Sequence, residues 1–507
     1  MKKLWKKLLA VTTAVMMAIT LLPAMANANA TDGKGRVTII KNGEKSDEFL
    51  AGAKFSFYKI ASITNSEGKD WKYTVEEAYR EQLGDNGIAK NLNNLPSSAW
   101  EAEIDVLAAI NATAIKESKA SAEKTGSTGA TELPLGVYLV KETTTPAGYV
   151  ASKPFIVSVP STDNYDTAGK EGTEFIYDIT AKPKNSKMSV DKTIVNEDKT
   201  AYIGGFVEYK VETQIPKYGT EYTNPVFNIY DKMSNGLSFV NDAAHKLKVF
   251  VGGTEIVEGE NTYTLATNGL SDEKTFEIQF AKAFLENKEN KGKKVEVTYY
   301  AQVNKNAVYI NENSANITYQ NKPGETTDAT PSEKNVYTYG IDLTKKGDKS
   351  ADADGLDGAE FTLAAANGEM ISILVNGTKV DVNGNSKGGF QTTTVDNKKG
   401  KLVFKGLKAG TYTLTETKSP SGYSLAKNPI TIVITANADG SFASATVNEN
   451  TVTNDVKDGI VPVGLQNKSG FSLPATGGMG TYLFTIGGLV IMAGAALLLI
   501  ASRKRRA

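Results

Sequence analysis

The chain contains no cysteine, and His245 is its only histidine. Disulfides, thiolate catalysis and metal sites needing cysteine or several histidines are therefore excluded. A carboxylate calcium site in a loop stays open; otherwise the sequence implies no metal and no cofactor. Charge of one sign is also missing, because 57 Lys and Arg residues balance 57 Asp and Glu residues. That balance gives no electrostatic reason to expect a nucleic-acid partner. No nucleophile and base stand together in a recognisable pattern, which disfavours a surface hydrolase. Long hydrophobic runs are confined to the two ends, and the 507 residues are enough for about three domains between them.

The ends have distinct plans. Met1 to Lys7 is basic, Leu8 to Leu22 is almost wholly apolar, and Ala26-Asn27-Ala28-Asn29-Ala30 supplies small residues. This is the three-part layout of a secretory signal peptide, expected over residues 1–30 with cleavage after Ala28 or Ala30. Tyr482 to Ser502 carries no charge and is long enough to cross a bilayer, and Arg503-Lys504-Arg505-Arg506 follows it. The basic tail should stay cytoplasmic and leave the preceding chain outside the cell.

Just before that span stands Leu473-Pro474-Ala475-Thr476-Gly477. Motif, apolar span and basic tail in this order resemble the cell-wall sorting signal of Gram-positive surface proteins. The resemblance implies that a sortase cuts between Thr476 and Gly477 and passes the threonyl carboxyl to an amine. On that reading the protein is a substrate of the enzyme, and peptidoglycan is the final acceptor.

An internal repeat organises the interior. Gly136-Val137-Tyr138-Leu139-Val140-Lys141-Glu142-Thr143, with Pro146, Gly148 and Tyr149, returns at the same spacing as Gly410-Thr411-Tyr412-Thr413-Leu414-Thr415-Glu416-Thr417, with Pro420, Gly422 and Tyr423. Leu50 to Phe55 echoes Leu356 to Phe361 upstream. The first and last domains are therefore versions of one module. Short alternating runs separated by Gly, Asn and Asp, such as Phe227 to Asp231, Val295 to Val303 and Ile430 to Ile434, predict an all-β chain of three tandem immunoglobulin-like sandwiches. Thr74 to about Lys124 is the exception. Two capping-box patterns, Thr74 to Glu77 and Ser98 to Glu101, and the helical spacing of Trp100, Ile104, Leu107 and Ile110 or Asn111 predict a helical insertion packed on the first sandwich.

Period-2 alternation places Glu142 on the same face as Tyr138 and Val140, and Glu416 with Tyr412 and Leu414. A buried carboxylate without a partner costs several kcal/mol. Each domain also puts a lysine on the apolar parity near its start: Lys41 with Val37 and Ile39, Lys192 with Val190 and Ile194, Lys345 with Ile341 and Leu343. Each is expected to end with an in-phase asparagine: Asn185, then Asn313 with Asn311 and Asn316 as competitors, then Asn454. Asp231, in phase with Phe227 and Ile229, supplies the acid of the middle domain.

Lysine, acid and asparagine thus occur three times, and the set has a chemistry. A lysine desolvated in an apolar core loses its proton readily, and a carboxyl beside it holds one. The neutral amine can attack the asparagine carbonyl while the acid polarises it, and ammonia leaves. The product is an isopeptide crosslink, giving the expected pairs Lys41–Asn185, Lys192–Asn313 and Lys345–Asn454, with Glu142, Asp231 and Glu416 as promoting acids. Whether the first domain completes its bond stays open.

With these features the chain resembles the backbone subunits of sortase-assembled Gram-positive pili, whose collagen-adhesin A- and B-type domains form such bonds; the segment around Glu416 matches that family's E-box. Phe175 to Asn185 resembles the pilin motif, which presents the lysine that attacks the sortase acyl intermediate. Here Lys182 stands where the family has tyrosine and Ala181 where it has valine, leaving Lys182 or Lys184 as the acceptor. Alternation favours Lys184, since Asn185 takes the inward parity.

The expected boundaries are 31–185 for the first domain, 186–339 for a middle domain of collagen-adhesin A type, 340–456 for a C-terminal domain of B type, 457–472 for a spacer and 473–507 for the sorting signal. The resemblance implies a structural subunit of a cell-surface pilus rather than an enzyme. Thr476 of one copy would join Lys184 of the next. Implied partners are pilin-type and housekeeping sortases, identical subunits, accessory tip or base pilins, peptidoglycan and host surface molecules. The rival reading is a monomeric wall-anchored adhesin that binds host matrix or glycan and has no need of Lys184.

Overall fold

A computed structural model describes residues 33–66, 70–83, 104, 106–162, 175–219, 221–366, 368, 370–470 and 492. The expected signal peptide, Trp100 with its capping box, and the sorting signal Leu473 to Gly477 lie outside the described residues. Two compact units are present. One holds the chain up to Glu197 with Val207–Ala301 and Glu312–Lys334; the other holds Asp198–Phe206, Gln302–Asn311 and the chain from Asn335.

The architecture is all-β, as alternation predicts. In the first domain, strand Lys34–Ile40 runs parallel to Asp178–Ala181 and antiparallel to Ser127–Pro134. A facing sheet has the order Asp70–Val75, Lys54–Ser66, Gly136–Thr144, Phe155–Val159. Val37, Ile39, Phe55, Phe57, Tyr138, Val140 and Val157 fill the space between the sheets. Strand Gly136–Thr144 is buried on both faces, because Val137 and Leu139 meet a second apolar cluster containing Tyr79, Leu107 and Ala108. This second cluster is where the helical insertion packs. Among the described residues it starts later than the sequence suggests: Asp70–Val75 is a strand and helix Glu77–Leu83 follows it. Thr74 and Val75 alternate in the ladder with Ser62 and Ala61, so strand pairing overrides the cap pattern.

In the middle domain the strand Asp191–Ile194 pairs with Phe206–Gln214, and Phe227–Met233 lies between Phe276–Phe280 and Ile310–Lys322. Phe227, Ile229 and Asp231 alternate inward along their strand.

The third domain corrects the expected boundary. Residues 457–472 are not a spacer throughout, because Ile460–Asn467 is a core strand running parallel to Tyr339–Gly347 from Gly340–Ile460 to Gly347–Asn467. Val461 and Val463 join Ile341, Leu343, Leu402, Phe404 and Leu414 in the core. The segment reads as a spacer because Pro462 with Gly459, Gly464 and Gly470 gives it the composition of a turn, although Val461, Val463 and Leu465 keep one parity. Pro462 and Gly464 fall on outward-facing positions between Val461, Val463 and Leu465, and Ile460–Asn467 ends the sheet order, where proline is tolerated.

Val463 sits opposite Leu343, so Val463→Asp should bury an unpaired carboxylate and cost about 3–5 kcal/mol. Limited proteolysis with thermal melting should show the third domain destabilised; a melt unchanged from wild type would contradict its place in the core.

Candidate functional site

Parallel pairing of the first and last strands carries the site. In the first domain Ile39 is opposite Ala181 and Asn42 bridges Lys184. This register sets Lys41 against Pro183, two residues before Asn185. In the third domain Lys345 is opposite Leu465, two residues before Asn467. The repeat thus extends to the relation between lysine and asparagine, although the two asparagines share no obvious sequence context.

Lys41, Glu142 and Asn185 converge in the first domain, all buried. The Lys41 ammonium donates to Asn185 Oδ1 and lies 3.0 Å from Glu142 Oε2. Asn185 Nδ2 donates to Glu142 Oε1 at 3.0 Å. The N–H and hydroxyl of Ser152 both donate to Glu142 Oε2 at 2.8 Å. Burial pulls the Lys41 pKa below its ordinary value, against the opposing attraction of Glu142. The lysine nitrogen, the amide carbonyl and a carboxyl that grips the amide nitrogen therefore stand within hydrogen-bond reach.

In the middle domain Lys192 Nζ donates to Asp231 Oδ2 at 2.5 Å and to the Tyr299 hydroxyl at 2.5 Å. Tyr299 donates to Asp231, and Asn313 Nδ2 donates to Tyr299 at 3.3 Å. Lys192 lies over the stacked rings of Tyr209 and Tyr299. Burial lowers its pKa to about 8, with Asp231 opposing, and burial raises the pKa of Asp231. The competing asparagines are engaged elsewhere. Asn311 donates to the Val308 and Val336 carbonyls and accepts from the Val308 N–H. Asn316 donates to Tyr230 and the Ala329 carbonyl and accepts from the Ile317 N–H. Asn313 alone of the three has a carbonyl oxygen with no partner among the described residues.

The third domain overturns the expected Lys345–Asn454 pair. Asn454 is exposed in the turn Thr453–Asp455, where strand parity has no meaning. Asn467 is buried instead, and its Nδ2 donates to Glu416 Oε1 at 2.8 Å and Oε2 at 2.9 Å. Its Oδ1 has no partner among the described residues. Ala426 N–H donates to Glu416 Oε2 at 2.8 Å, ten residues after the acid, as Ser152 is ten after Glu142. Lys345 is fully buried, and its Nζ donates to the Lys346 carbonyl at 2.9 Å. Burial lowers its pKa, against Glu416.

The Pro-x-Gly-Tyr ending of each repeat closes the same local device. Tyr149 N–H returns to the Pro146 carbonyl and Tyr423 N–H to the Pro420 carbonyl, at 3.3 and 3.1 Å. The intervening Gly148 and Gly422 have φ of 81° and 84°, which glycine adopts without strain. Each tyrosine hydroxyl then meets an acid in the loop after the lysine strand, Glu48 or Asp352.

The segment resembling a pilin motif places Ala181, Pro183 and Asn185 inward, leaves Lys182 half-buried and exposes Lys184. Asn42 N–H donates to the Pro183 carbonyl and Asn185 N–H to the Asn42 carbonyl, so backbone bonds on both sides of Lys184 hold it outward. Tyr299 and Tyr209 were not singled out in the sequence. Tyr299 shares a parity with Val295, Val297 and Ala301, and an aromatic residue in such a run reads as core.

Among family models, the prealbumin-like fold domain of SpaA matches residues 35–173 and 340–450. A Gram-positive pilin backbone subunit domain described as Cna-B-like matches 203–323, in place of the expected A type. The LPXTG cell wall anchor motif matches 466–507. Fimbrial subunit type 2 of Actinomyces naeslundii is 27% identical over 89% of this chain and 82% of its own. Fimbrial subunit type 1 of Actinomyces viscosus is 28% identical over 73% of each. The fold is shared with the T6 backbone pilin of Streptococcus pyogenes, at TM-score 0.55 and 18% identity over 87% of this chain and 99% of that one. It is also shared with the major pilin SpaD of Corynebacterium diphtheriae, at 0.51 and 20% over 88% and 100%.

The lowered Lys192 pKa sets a pH dependence in the uncrosslinked variant Asn313→Ala. Between about 8 and the ordinary 10.5 the unfolded chain binds more protons at this lysine than the folded one, so stability rises with pH across that window. The raised Asp231 pKa acts oppositely, at the acid end. Urea midpoints of Asn313→Ala should increase from pH 8 toward 10; a flat or falling profile would contradict the desolvated lysine.

Proposed function

Since this chain belongs to the Gram-positive pilus backbone subunits and carries their LPXTG cell-wall anchor, we propose that sortase polymerises it by joining Thr476 of one copy to Lys184 of the next. Intramolecular bonds Lys41–Asn185, Lys192–Asn313 and Lys345–Asn467 would reinforce each subunit. The observation that carries this reading is the buried contact of Lys41, Glu142 and Asn185, next to an exposed lysine one residue before the asparagine.

The contacts in the first domain support the following chemistry. With its ammonium desolvated, the lysine transfers a proton to the adjacent carboxylate and attacks the asparagine Cγ as a neutral amine. The carbonyl π electrons move to Oδ1, the carboxyl hydrogen-bonds the developing charge, and a proton passes from lysine nitrogen to Nδ2. The C–N bond then breaks and ammonia leaves. Glu142 and Glu416 hold the leaving nitrogen directly, whereas Asp231 reaches it through Tyr299.

Intact mass of the folded protein should fall short of the sequence mass by one ammonia per bond, three in total. Asn467→Ala should restore one ammonia and Asn454→Ala none. Full sequence mass in the wild type would return the three sites to buried ion pairs. Polymerisation has a separate readout: Lys184→Ala should replace the ladder in wall extracts with a single folded species. A ladder that persists there and disappears in Lys182→Ala would move the acceptor.

A further inference from the structure

The middle domain differs from the other two in how its acid meets its asparagine. Glu142 and Glu416 accept hydrogen bonds from Asn185 and Asn467 directly. Asp231 has no such bond to Asn313, and the Tyr299 hydroxyl stands between them. That hydroxyl also accepts from Lys192 Nζ, so one oxygen touches the attacking nitrogen, the leaving nitrogen and the acid. Asp231 Oδ1 and Asn313 Oδ1 are both buried without a partner among the described residues.

We propose that Tyr299 is a fourth catalytic residue of the middle domain, relaying the proton from Lys192 Nζ to Asn313 Nδ2. This inference rests on the isopeptide reading above. In the planar amide Nδ2 only donates, as it does to Tyr299 at 3.3 Å. Once Nζ bonds to Cγ the amide nitrogen becomes a pyramidal amine with a lone pair, and the same contact can reverse. Nζ, now bearing the positive charge, gives a proton to the Tyr299 oxygen as the tyrosine passes its own hydroxyl proton to Nδ2. Asp231 lends its proton to Oδ1 and recovers it when the carbonyl reforms. Ammonia leaves, and both Tyr299 and Asp231 end as they began. Burial keeps the tyrosine pKa well above its ordinary value, so the hydroxyl exchanges protons without becoming a free phenolate.

The packing suits this role. Tyr299 is fully buried, stacked on Tyr209 at 5.5 Å and set edge-on to Phe276 at 4.9 Å. With Phe239 also edge-on at 6.3 Å, the ring is fixed on three sides, and removal of the hydroxyl alone leaves those contacts in place.

The test is a time course of intact mass and crosslinked-peptide mapping on the full chain after synthesis. Lys41–Asn185 and Lys345–Asn467 serve as internal standards in the same molecule. Tyr299→Phe should slow ammonia loss at Lys192–Asn313 by about 100-fold, leave the other pairs at wild-type rate, and melt like the uncrosslinked Asn313→Ala. Wild-type kinetics at Lys192–Asn313 in Tyr299→Phe would overturn the relay while leaving the isopeptide reading intact. Absence of ammonia loss in the wild type would overturn that reading itself. If Tyr299→Phe fails to fold, replacing Tyr299 with a ring-fluorinated tyrosine keeps the shape and makes the hydroxyl more acidic. The relay then predicts an altered rate and a shifted pH profile, and an unchanged profile would overturn it.

Discussion

Everything at these sites depends on placing a lysine ammonium where water cannot follow. Lys41, Lys192 and Lys345 have no exposed surface, and each sits on a strand, or directly after one for Lys41, whose neighbouring inward positions are Val, Ile or Leu. An ion in such a place costs several kcal/mol unless it is paired or gives up its proton. The fold supplies a carboxyl for each, from Gly136–Thr144, Phe227–Met233 or Gly410–Lys418. In the first and middle domains the two groups touch, so the pair can exchange a proton and become neutral. On the proposed reading, what looks like a defect of the core is the condition that would make the lysine a nucleophile.

The same constraint accounts for the topology around the sites in the outer domains. Strands from the two ends of each domain run parallel and adjacent, which brings the lysine and the asparagine together across most of the domain's sequence. A crosslink there closes a loop of nearly the whole domain and, in the chain-entropy model, stabilises it by about 5 kcal/mol. For a secreted chain with no cysteine, the proposed crosslink would take the place of a disulfide. The sheet also sets Lys184 apart from Asn185 by alternation, one residue facing out and the next facing in.

Much of this was legible in the sequence because period-2 alternation is a local property. The inward lysines, the acids of the E-box repeat, Asn185 and the outward Lys184 all follow from parity within one strand. Asn467 shares the inward parity of Val461, Val463 and Leu465, but Pro462 and Gly464 give its strand the composition of a turn, and partnership with Tyr339–Gly347 is set by long-range register that no local reading reveals. Asn454 was a parity argument applied to a turn. The choice of Asn313 over Asn311 and Asn316 needed hydrogen bonds, since three asparagines within six residues differ only in which amide is already satisfied. Tyr299 was hidden for another reason: in a run such as Val295 to Val303, a tyrosine that packs and a tyrosine that also moves protons look the same.

The central claim is that these buried pairs become covalent and carry load. Under the proposed linkage, tension enters at Lys184 and leaves at Thr476, crossing the middle and third domains through Lys192–Asn313 and Lys345–Asn467. Single-molecule pulling between Lys184 and Thr476 tests this most directly. Wild type should extend without domain-unfolding steps. Lys192→Ala should release one long step, because about 120 residues at about 3.3–3.6 Å each give roughly 400 Å of contour, less the folded span. Long unfolding steps in the wild type would contradict the account.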